Sequence, residues 1–518
     1  MKSRLKDQAD LNSFKRKISK KYKIPCPSNI ELLKAYHSFL KIKRQKLSEK
    51  IEKLLRTRPI RSLSGIVNIS VLTKPYPCPG KCTFCPIEEG FPKSYLAGEP
   101  AADRAKKLNY DPYLQVQKRI EMLKTEGHPT DKIELRIVGG TWSFYPKKYQ
   151  EWFIKRCFKA ANEFESSKNP RPQILEKEQK KNEKTKYRIV GIAIETRPDF
   201  INEREVLSLR RLGVTMVELG IQTVFDDVLR KCKTGLTAEK IAKATKLLKD
   251  SGFKVLYHIM PNLPSSDLKK DLKAFRIIFK DERFKPDWVK IYPCVVCRET
   301  KLYNWWKRRK YKSYSEKELV ELLIKIKRNL PYWVRVARLF RDIPTTKIEA
   351  GCKISNLREV VKREMKKRNL VCKCIRCREI REEYNPKEKV YLFREDYDAS
   401  EGKEIFLTFE TKNRKKLYSL LRLRIPSQKH FLPVLQNAAV IREVQTFGEA
   451  VPIGIKKIAP QHRGLGKKLI KEAEKITKKE FDLNKIAIIS GVGARKYFRK
   501  LGYKLRKKYM ILSLLTNF

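Results

Sequence analysis

Acidic residues are scarce in this 518-residue chain: 58 Asp and Glu face 119 Lys and Arg, a formal net charge of +61. A chain so short of acids repels itself unless a polyanion is near, which argues against a basic protein partner and for nucleic acid. Lysine enrichment through thermophily or codon bias is the plainer source of the same excess. Long apolar runs are missing too. Stretches such as Met510–Leu515 fall far short of the ~20 residues a bilayer requires, so no membrane is expected. Met1–Lys21 lacks the apolar core of a signal peptide, and a cytoplasmic location is expected. There, the twelve cysteines read as thiols or metal ligands rather than disulfides. No internal repeat is evident. What remains, 41% apolar and 10% aromatic residues, suffices for packed cores.

Residues 1–60 are predicted to be helical. Leu32, Leu33, Tyr36, Leu40 and Ile42 supply an apolar stripe that Ile51, Leu54 and Leu55 continue. Lys41, Lys43, Arg44 and Lys46 have few acids beside them and suit a phosphate-tracking surface, the alternative being a solvated helix face. From Gly65 to about Thr345, apolar runs at Ile133–Val138, Tyr187–Ile194, Thr215–Gly220, Lys254–Met260 and Trp288–Tyr292 alternate with helical stretches. Leu114–Lys124, Glu203–Leu212 and Ala238–Ser251 are examples. That alternation predicts an α/β fold with a parallel sheet, closed or partly closed into a barrel. Ser166–Lys186 is a polar insert expected on the surface. Beyond Tyr384, Ile405–Phe409, Tyr418–Arg424 and Ala439–Thr446 read as an antiparallel sheet. Strand Lys485–Ile489 and a helix over Ala494–Leu501 follow. The expected divisions are 1–60, 61–345, a cysteine-containing linker at 346–388, and 389–518.

Cys78, Cys82 and Cys85 form CxxxCxxC within YPCPGKCTFCP. Three such thiolates can bind three irons of a [4Fe–4S] cluster and leave the fourth open for S-adenosylmethionine; a zinc knuckle short of one ligand is the alternative. The segment resembles the radical S-adenosylmethionine superfamily, which implies a partial TIM-type barrel. Val138–Thr141 (VGGT) sits where that superfamily places a glycine motif against the cofactor. Glu195, Arg197, Glu218, Gln222 and His258 are expected at strand C-termini, facing the barrel mouth. For His258 a satisfied core role and a site role weigh evenly.

Gln461–Gly466 (QHRGLG) opens a Lys/Glu-rich helix and resembles the pyrophosphate loop of GNAT acetyltransferases, an α+β fold that would bind acetyl-CoA. The two modules in one chain resemble the catalytic subunit of Elongator and its single-chain archaeal and bacterial relatives, a family of tRNA uridine-34 acetyltransferases. ELGIQTV, GFKVLYHIMPNLP, LLRLRIP, IREVQTFG and ISGVGARKYFRKLGY are among the matching stretches. The resemblance implies tRNA as partner and a carboxymethyl group built on the wobble uridine. Lys132 and Tyr497 are carried over as catalytic candidates. Lys132, Glu443, Val444, Gln445, Thr446, Leu465, Gly466, Lys467 and Phe498 are carried over as acetyl-CoA contacts. Phe498 stands where many relatives have Tyr, and Gln445 where many have His, so neither a hydroxyl at 498 nor an imidazole at 445 is available. Cys372, Cys374 and Cys377 form CxCxxC, which reads as a zinc site, with Cys352, Cys294 and Cys297 as candidate fourth ligands. A stand-alone chain and a homodimer are both compatible with the sequence. Two competing readings are a protein lysine acetyltransferase with Glu443 as base, and a non-catalytic RNA-binding scaffold.

Overall fold

The computed structural model describes residues 7–46, 48–57, 62–166, 173–381, 385, 387–426, 430–448 and 463–515. Helices Gln8–Tyr22, Asn29–Ile42 and Glu49–Leu55 form the basic N-terminal region. Their apolar faces meet at Leu11, Leu33 and Leu55, and the Arg56 side chain donates to the Gly127 carbonyl at 2.6 Å. This region is therefore a small helical cluster resting on the next domain. Ile42, expected on the apolar stripe, is instead exposed. Lys41, Lys43, Arg44 and Lys46 are exposed as well.

Seven parallel strands follow in sequence order: β1 Val67–Leu72, β2 Lys132–Val138, β3 Arg188–Thr196, β4 Met216–Gln222, β5 Lys254–Ile259, β6 Trp288–Ile291 and β7 Arg335–Arg338. Sequential parallel strands with helical crossovers curl one way, and β1 and β7 end as the sheet's two edges, which gives a half-barrel. β2 shows how its faces divide: Ile133, Leu135 and Ile137 are buried against the helices, while Lys132, Glu134, Arg136 and Val138 line the interior.

The second sheet runs β13-β14-β12-β11-β10-β9-β8, with β8 Tyr391–Ala399, β9 Gly402–Glu410, β10 Leu417–Ile425, β11 Ala438–Thr446, β12 Lys485–Ile488, β13 Lys504–Arg506 and β14 Tyr509–Ser513. β9, β10 and β11 pair antiparallel as expected, but the whole sheet is mixed, because β11 and β12 pair in parallel. Helix Leu465–Lys479 covers one face through Leu469, Ile470, Ala473 and Ile476. The expected helix at 494–501 is shorter: a 3-10 turn, Val492–Ala494, leads into Arg495–Arg499.

The sheet's other face docks on the N-terminal ends of the barrel strands. A Cβ on Gly491 would lie 2.0 Å from the Val190 carbonyl oxygen, so the backbones touch. A buried ion lattice spans the joint. Arg442 donates to both Asp287 oxygens at 2.7 and 2.6 Å and to Glu404 at 2.7 Å; Arg424 reaches Asp250 at 2.6 Å and Glu404 at 3.2 Å. The insert at 166–186 is more than a surface excursion. Residues 167–172 lie outside the described residues, but helix Leu175–Asn182 buries Leu175, Glu178, Gln179 and Asn182. Gln179 accepts from Lys508 at 3.2 Å, and Glu183 pairs with Arg495 at 3.1 Å.

Candidate functional site

The loop after β1 carries the first cysteine cluster to the C-terminal end of the barrel. The Cys78 sulfur lies 3.5 Å from the Thr141 hydroxyl, and the Cys85 amide donates to the Cys82 carbonyl at 3.3 Å. Gly80 allows the loop to close, since a Cβ there would sit 2.6 Å from an Arg197 nitrogen and 3.4 Å from the Cys82 sulfur. Burial pushes the Cys85 thiol up to about 12, and the neighbouring Cys82 adds to the shift. Burial also raises Cys82, opposed by Arg197 and Lys93. Three thiols lining one end of a cavity, with Lys93, Arg197 and Arg341 beside them, are a suitable seat for an anionic metal cluster. Arg197 is held there by Asp199 at 2.7 Å and by the Thr234 carbonyl at 2.8 Å.

Gly139 and Gly140 end β2 with φ of +119° and +83°, and a Cβ on Gly139 would meet the Thr73 hydroxyl at 2.3 Å. Glycine at 139 makes room for Thr73, and Gly140 lines the cavity with no atom closer than 3.9 Å to where its Cβ would be.

Inside the barrel, Glu195, Glu218 and His258 bring ligand atoms within 4.8 Å of one another. They belong to a wider charged crossbar. Glu218, 1% exposed, accepts from Arg136 at 2.9 Å, His258 at 2.8 Å and Lys290. Lys290 also lies 3.3 Å from Glu195, which accepts from the Tyr95 hydroxyl at 3.0 Å. Burial alone would raise the Glu218 carboxyl; Lys290, His258 and Arg136 together hold it far below its usual range. His258 is thus a carboxylate-bonded histidine in the wall of the site, and Gln222 lines the same cavity as a neutral amide. Lys93, Tyr95, Arg136 and Lys290 were not singled out from sequence, although a charge in the middle of a buried strand such as VKI is itself a signal.

The second domain presents β11. Its parallel pairing with β12 stops at Ile441–Ile488, so Glu443–Thr446 run on with that edge unpaired. Such a splay leaves backbone donors and acceptors free for an extended ligand. Helix Leu465–Lys479 begins beside it, capped by Gly464 with φ +67°. A Cβ on Gly466 would lie 3.4 Å from the Thr446 hydroxyl and 3.9 Å from both the Tyr497 oxygen and Val444. Tyr497 is 45% exposed, whereas Phe498 is buried in the domain core. Leu465 is buried and Lys467 exposed. Gln461 and His462 of the glycine loop lie outside the described residues. Glu443 is locked, accepting from Arg422 at 2.9 Å with Lys254 at 3.6 Å; against its burial, Lys254 and Arg422 hold its carboxyl below the usual range. Lys132 opens β2 on the side facing this domain.

One cavity of 1690 Å³ joins these parts, from Cys78, Cys82 and Cys85 along the barrel to Glu443, Gln445 and Tyr497. Outside it, the sulfurs of Cys372, Cys374 and Cys377 lie within 4.8 Å of one another, and among the described residues no fourth Cys, His, Asp or Glu joins them. Cys294 packs with Phe84 and Cys297 with Leu96, while Cys352 is buried elsewhere in the main core. Lys327 lies beside this group, donating to Cys372 at 3.4 Å and Cys377 at 3.6 Å.

Comparison with known proteins agrees with this layout. Residues 76–275 match the Radical SAM superfamily and residues 286–367 a Radical SAM C-terminal domain. The chain is 46% identical over 498 residues to a tRNA uridine(34) acetyltransferase of Methanocaldococcus infernus, covering 93% of this chain and 91% of the relative. It is 37% identical to human Elongator complex protein 3, covering 97% of this chain and 93% of the relative. The solved archaeal Elp3 of M. infernus, with an N-terminal deletion, matches with a TM-score of 0.77 at 43% identity over 87% of this chain and 100% of that one.

Proposed function

Since this chain belongs to the family of tRNA uridine(34) acetyltransferases and Elongator complex protein 3, we propose that it is a radical S-adenosylmethionine enzyme that uses acetyl-CoA to place a carboxymethyl group on C5 of the tRNA wobble uridine. One observation carries the reading: a single cavity is lined by Cys78, Cys82 and Cys85 at one end and by the splayed strand β11 with Tyr497 at the other.

The residues fit the implied groups. Cys78, Cys82 and Cys85 would hold a [4Fe–4S] cluster, with Lys93, Arg197 and Arg341 offsetting its negative charge. Gly139 and Gly140 would let the backbone approach S-adenosylmethionine. When bound, these groups supply a radical strong enough to take a hydrogen atom from the acetyl methyl group. The chain's own task is placement. The free edge at Glu443–Thr446 would bind the thioester arm, and the helix start at Leu465, Gly466 and Lys467 the pyrophosphate. Lys132 and Tyr497 would flank the coenzyme arm where it leaves β11. The crossbar around Glu218 fixes charges that need no reorganisation when substrate enters.

Cys372, Cys374 and Cys377 would hold a structural zinc in the linker at 346–388, where the Lys327 ammonium would balance surplus thiolate charge. The exposed lysines of the N-terminal region at 1–60 would grip tRNA phosphates. Protein lysine acetylation is less well supported, because its candidate base Glu443 is tied up in an ion pair with Arg422 that lowers its carboxyl and so weakens it as a base.

Anaerobic assay with reduced cluster, S-adenosylmethionine, methyl-labelled acetyl-CoA and tRNA tests the reading. Label is expected in a C5-substituted uridine on nucleoside mass spectrometry, and not in tRNA lacking a wobble uridine. An unlabelled nucleoside pool despite a full cluster refutes it.

A further inference from the structure

The two ends of the cavity lie at opposite ends of the barrel strands. The cysteine loop follows the C-terminal end of β1, while Glu443 meets Lys254 at the N-terminal end of β5. β2 alone is seven residues, about 20 Å at ~3.3 Å per residue. A group held on β11 must therefore cross the length of the barrel to meet the cluster.

Part of the interior is filled. Ala193, Met216, Leu256 and Trp288 form an apolar plug against β3–β6, with Ala337 packed on its flank. The crossbar of Arg136, Glu218 and Lys290 spans the middle. The cavity also runs along the unpaired edges of the sheet, lined by Asn68 and Ser70 of β1 and by Ala337 and Arg338 of β7. Its outer side is built rather than left to solvent: Arg358 of the linker donates to the Val336 and Ala337 carbonyls at 3.2 and 3.0 Å, satisfying the β7 edge that β1 does not pair. Small polar side chains suit an arm that carries amides and ends in a two-carbon acyl group; a long acyl chain would demand an apolar wall.

We infer that this seam between β1 and β7 is the lane along which the pantetheine arm of acetyl-CoA reaches the cluster end, with Ser70 and Ala337 setting its width. The inference rests on the function proposed above and adds a route to it: the coenzyme's nucleotide end stays on the second domain while its acetyl end works in the first.

Two experiments on the cluster-loaded full chain test it. In the first, Ser70→Cys is treated with chloroacetyl-CoA, whose methylene carbon is attacked by the thiolate as chloride leaves. Peptide mapping is expected to find the coenzyme adduct at position 70, suppressed by excess acetyl-CoA, while the exposed native Cys26 gains no such protection. Labelling at position 70 no faster than at Cys26, or indifferent to acetyl-CoA, overturns the inference. In the second, Ser70→Trp and Ala337→Trp are assayed for deuterium passed from trideuteroacetyl-CoA to 5′-deoxyadenosine, one C–D bond breaking as another forms. Transfer is expected to fall roughly a hundredfold, the scale of a misplaced reactant, with binding of 3′-phosphoadenosine 5′-diphosphate unchanged. Wild-type transfer in both variants, or loss of nucleotide binding along with transfer, overturns the lane. Absence of transfer in the wild type would instead refute the proposed function.

Discussion

Arg442→Met is the sharpest test of how the two domains are held. Arg442 and Asp287 are both 0% exposed as side chains, and the guanidinium makes paired bonds of 2.7 and 2.6 Å to that carboxylate. The same side chain reaches Glu404 at 2.7 Å and the Phe253 carbonyl at 2.8 Å. Asp287, Glu404, Asp250 and Glu443 are matched around it by Arg442, Arg422, Arg424 and Lys249. Methionine keeps much of the volume but leaves one buried negative charge without its cation. Breaking such a pair from one side costs about 3–5 kcal/mol, far more than the ~0–1 kcal/mol of an exposed pair. Urea unfolding followed by far-UV circular dichroism is the assay, and the loss is expected to appear as an earlier transition of the second domain. Asp287→Asn in the same background should recover part of the loss, since a double-mutant cycle isolates the coupling. A loss below about 1 kcal/mol, or strict additivity in the cycle, would refute the view that this lattice fixes the joint.

Burial lowers the Lys249 ammonium to about 8 from its usual 10.5, against the pull of Glu404 and Asp287. The unfolded chain then binds the extra proton between those values, so this residue makes stability rise with pH from about 8 toward 10.5, by on the order of 3 kcal/mol. Thermal unfolding of Lys249→Met against wild type should show that rise removed, and parallel curves would contradict it. Cys372→Ser, purified anaerobically, should lose most of its zinc by elemental analysis while keeping its iron; unchanged zinc defeats the linker site. Deletion of residues 1–57 should weaken tRNA binding and flatten its salt dependence, because exposed Lys41, Lys43, Arg44 and Lys46 leave with it. Equal slopes with and without the region would place the phosphate grip elsewhere.

Much of this architecture was legible in the chain. β2 to β6 announce themselves as apolar runs because their outward faces are buried under helices. β7 does not, since Arg335 and Arg338 turn toward a charged cavity rather than an apolar core. β8 was illegible for the opposite reason: it is an edge strand with Tyr391 and Leu392 exposed, so neither face reads as buried. The cysteine loop, VGGT and the β11 strand could be placed from their residue types. The crossbar could not, because Arg136, Glu218 and Lys290 are far apart in the chain and meet only when the strands align. The parallel pairing of β11 with β12, which opens the edge at Glu443–Thr446, is likewise a property of the sheet and not of either segment alone. The insert at 166–186 misled because Glu178, Gln179 and Asn182 are polar yet buried, Gln179 bonding a neighbouring helix and the second domain.

The contact at Gly491 has a consequence for motion. Where two main chains touch with no side chain between them, there is no layer of rotamers to slide or repack, and such a joint works as a weld rather than a hinge. Gly493 repeats the arrangement, with a Cβ there only 2.6 Å from Arg188 and 3.0 Å from the Ile189 carbonyl. The distance between the thiols and β11 is then a fixed dimension of the molecule, like the gap of a caliper locked at one setting. Whatever travels between the two ends has to be long enough and flexible enough to span it, because the protein will not fold up to shorten the trip.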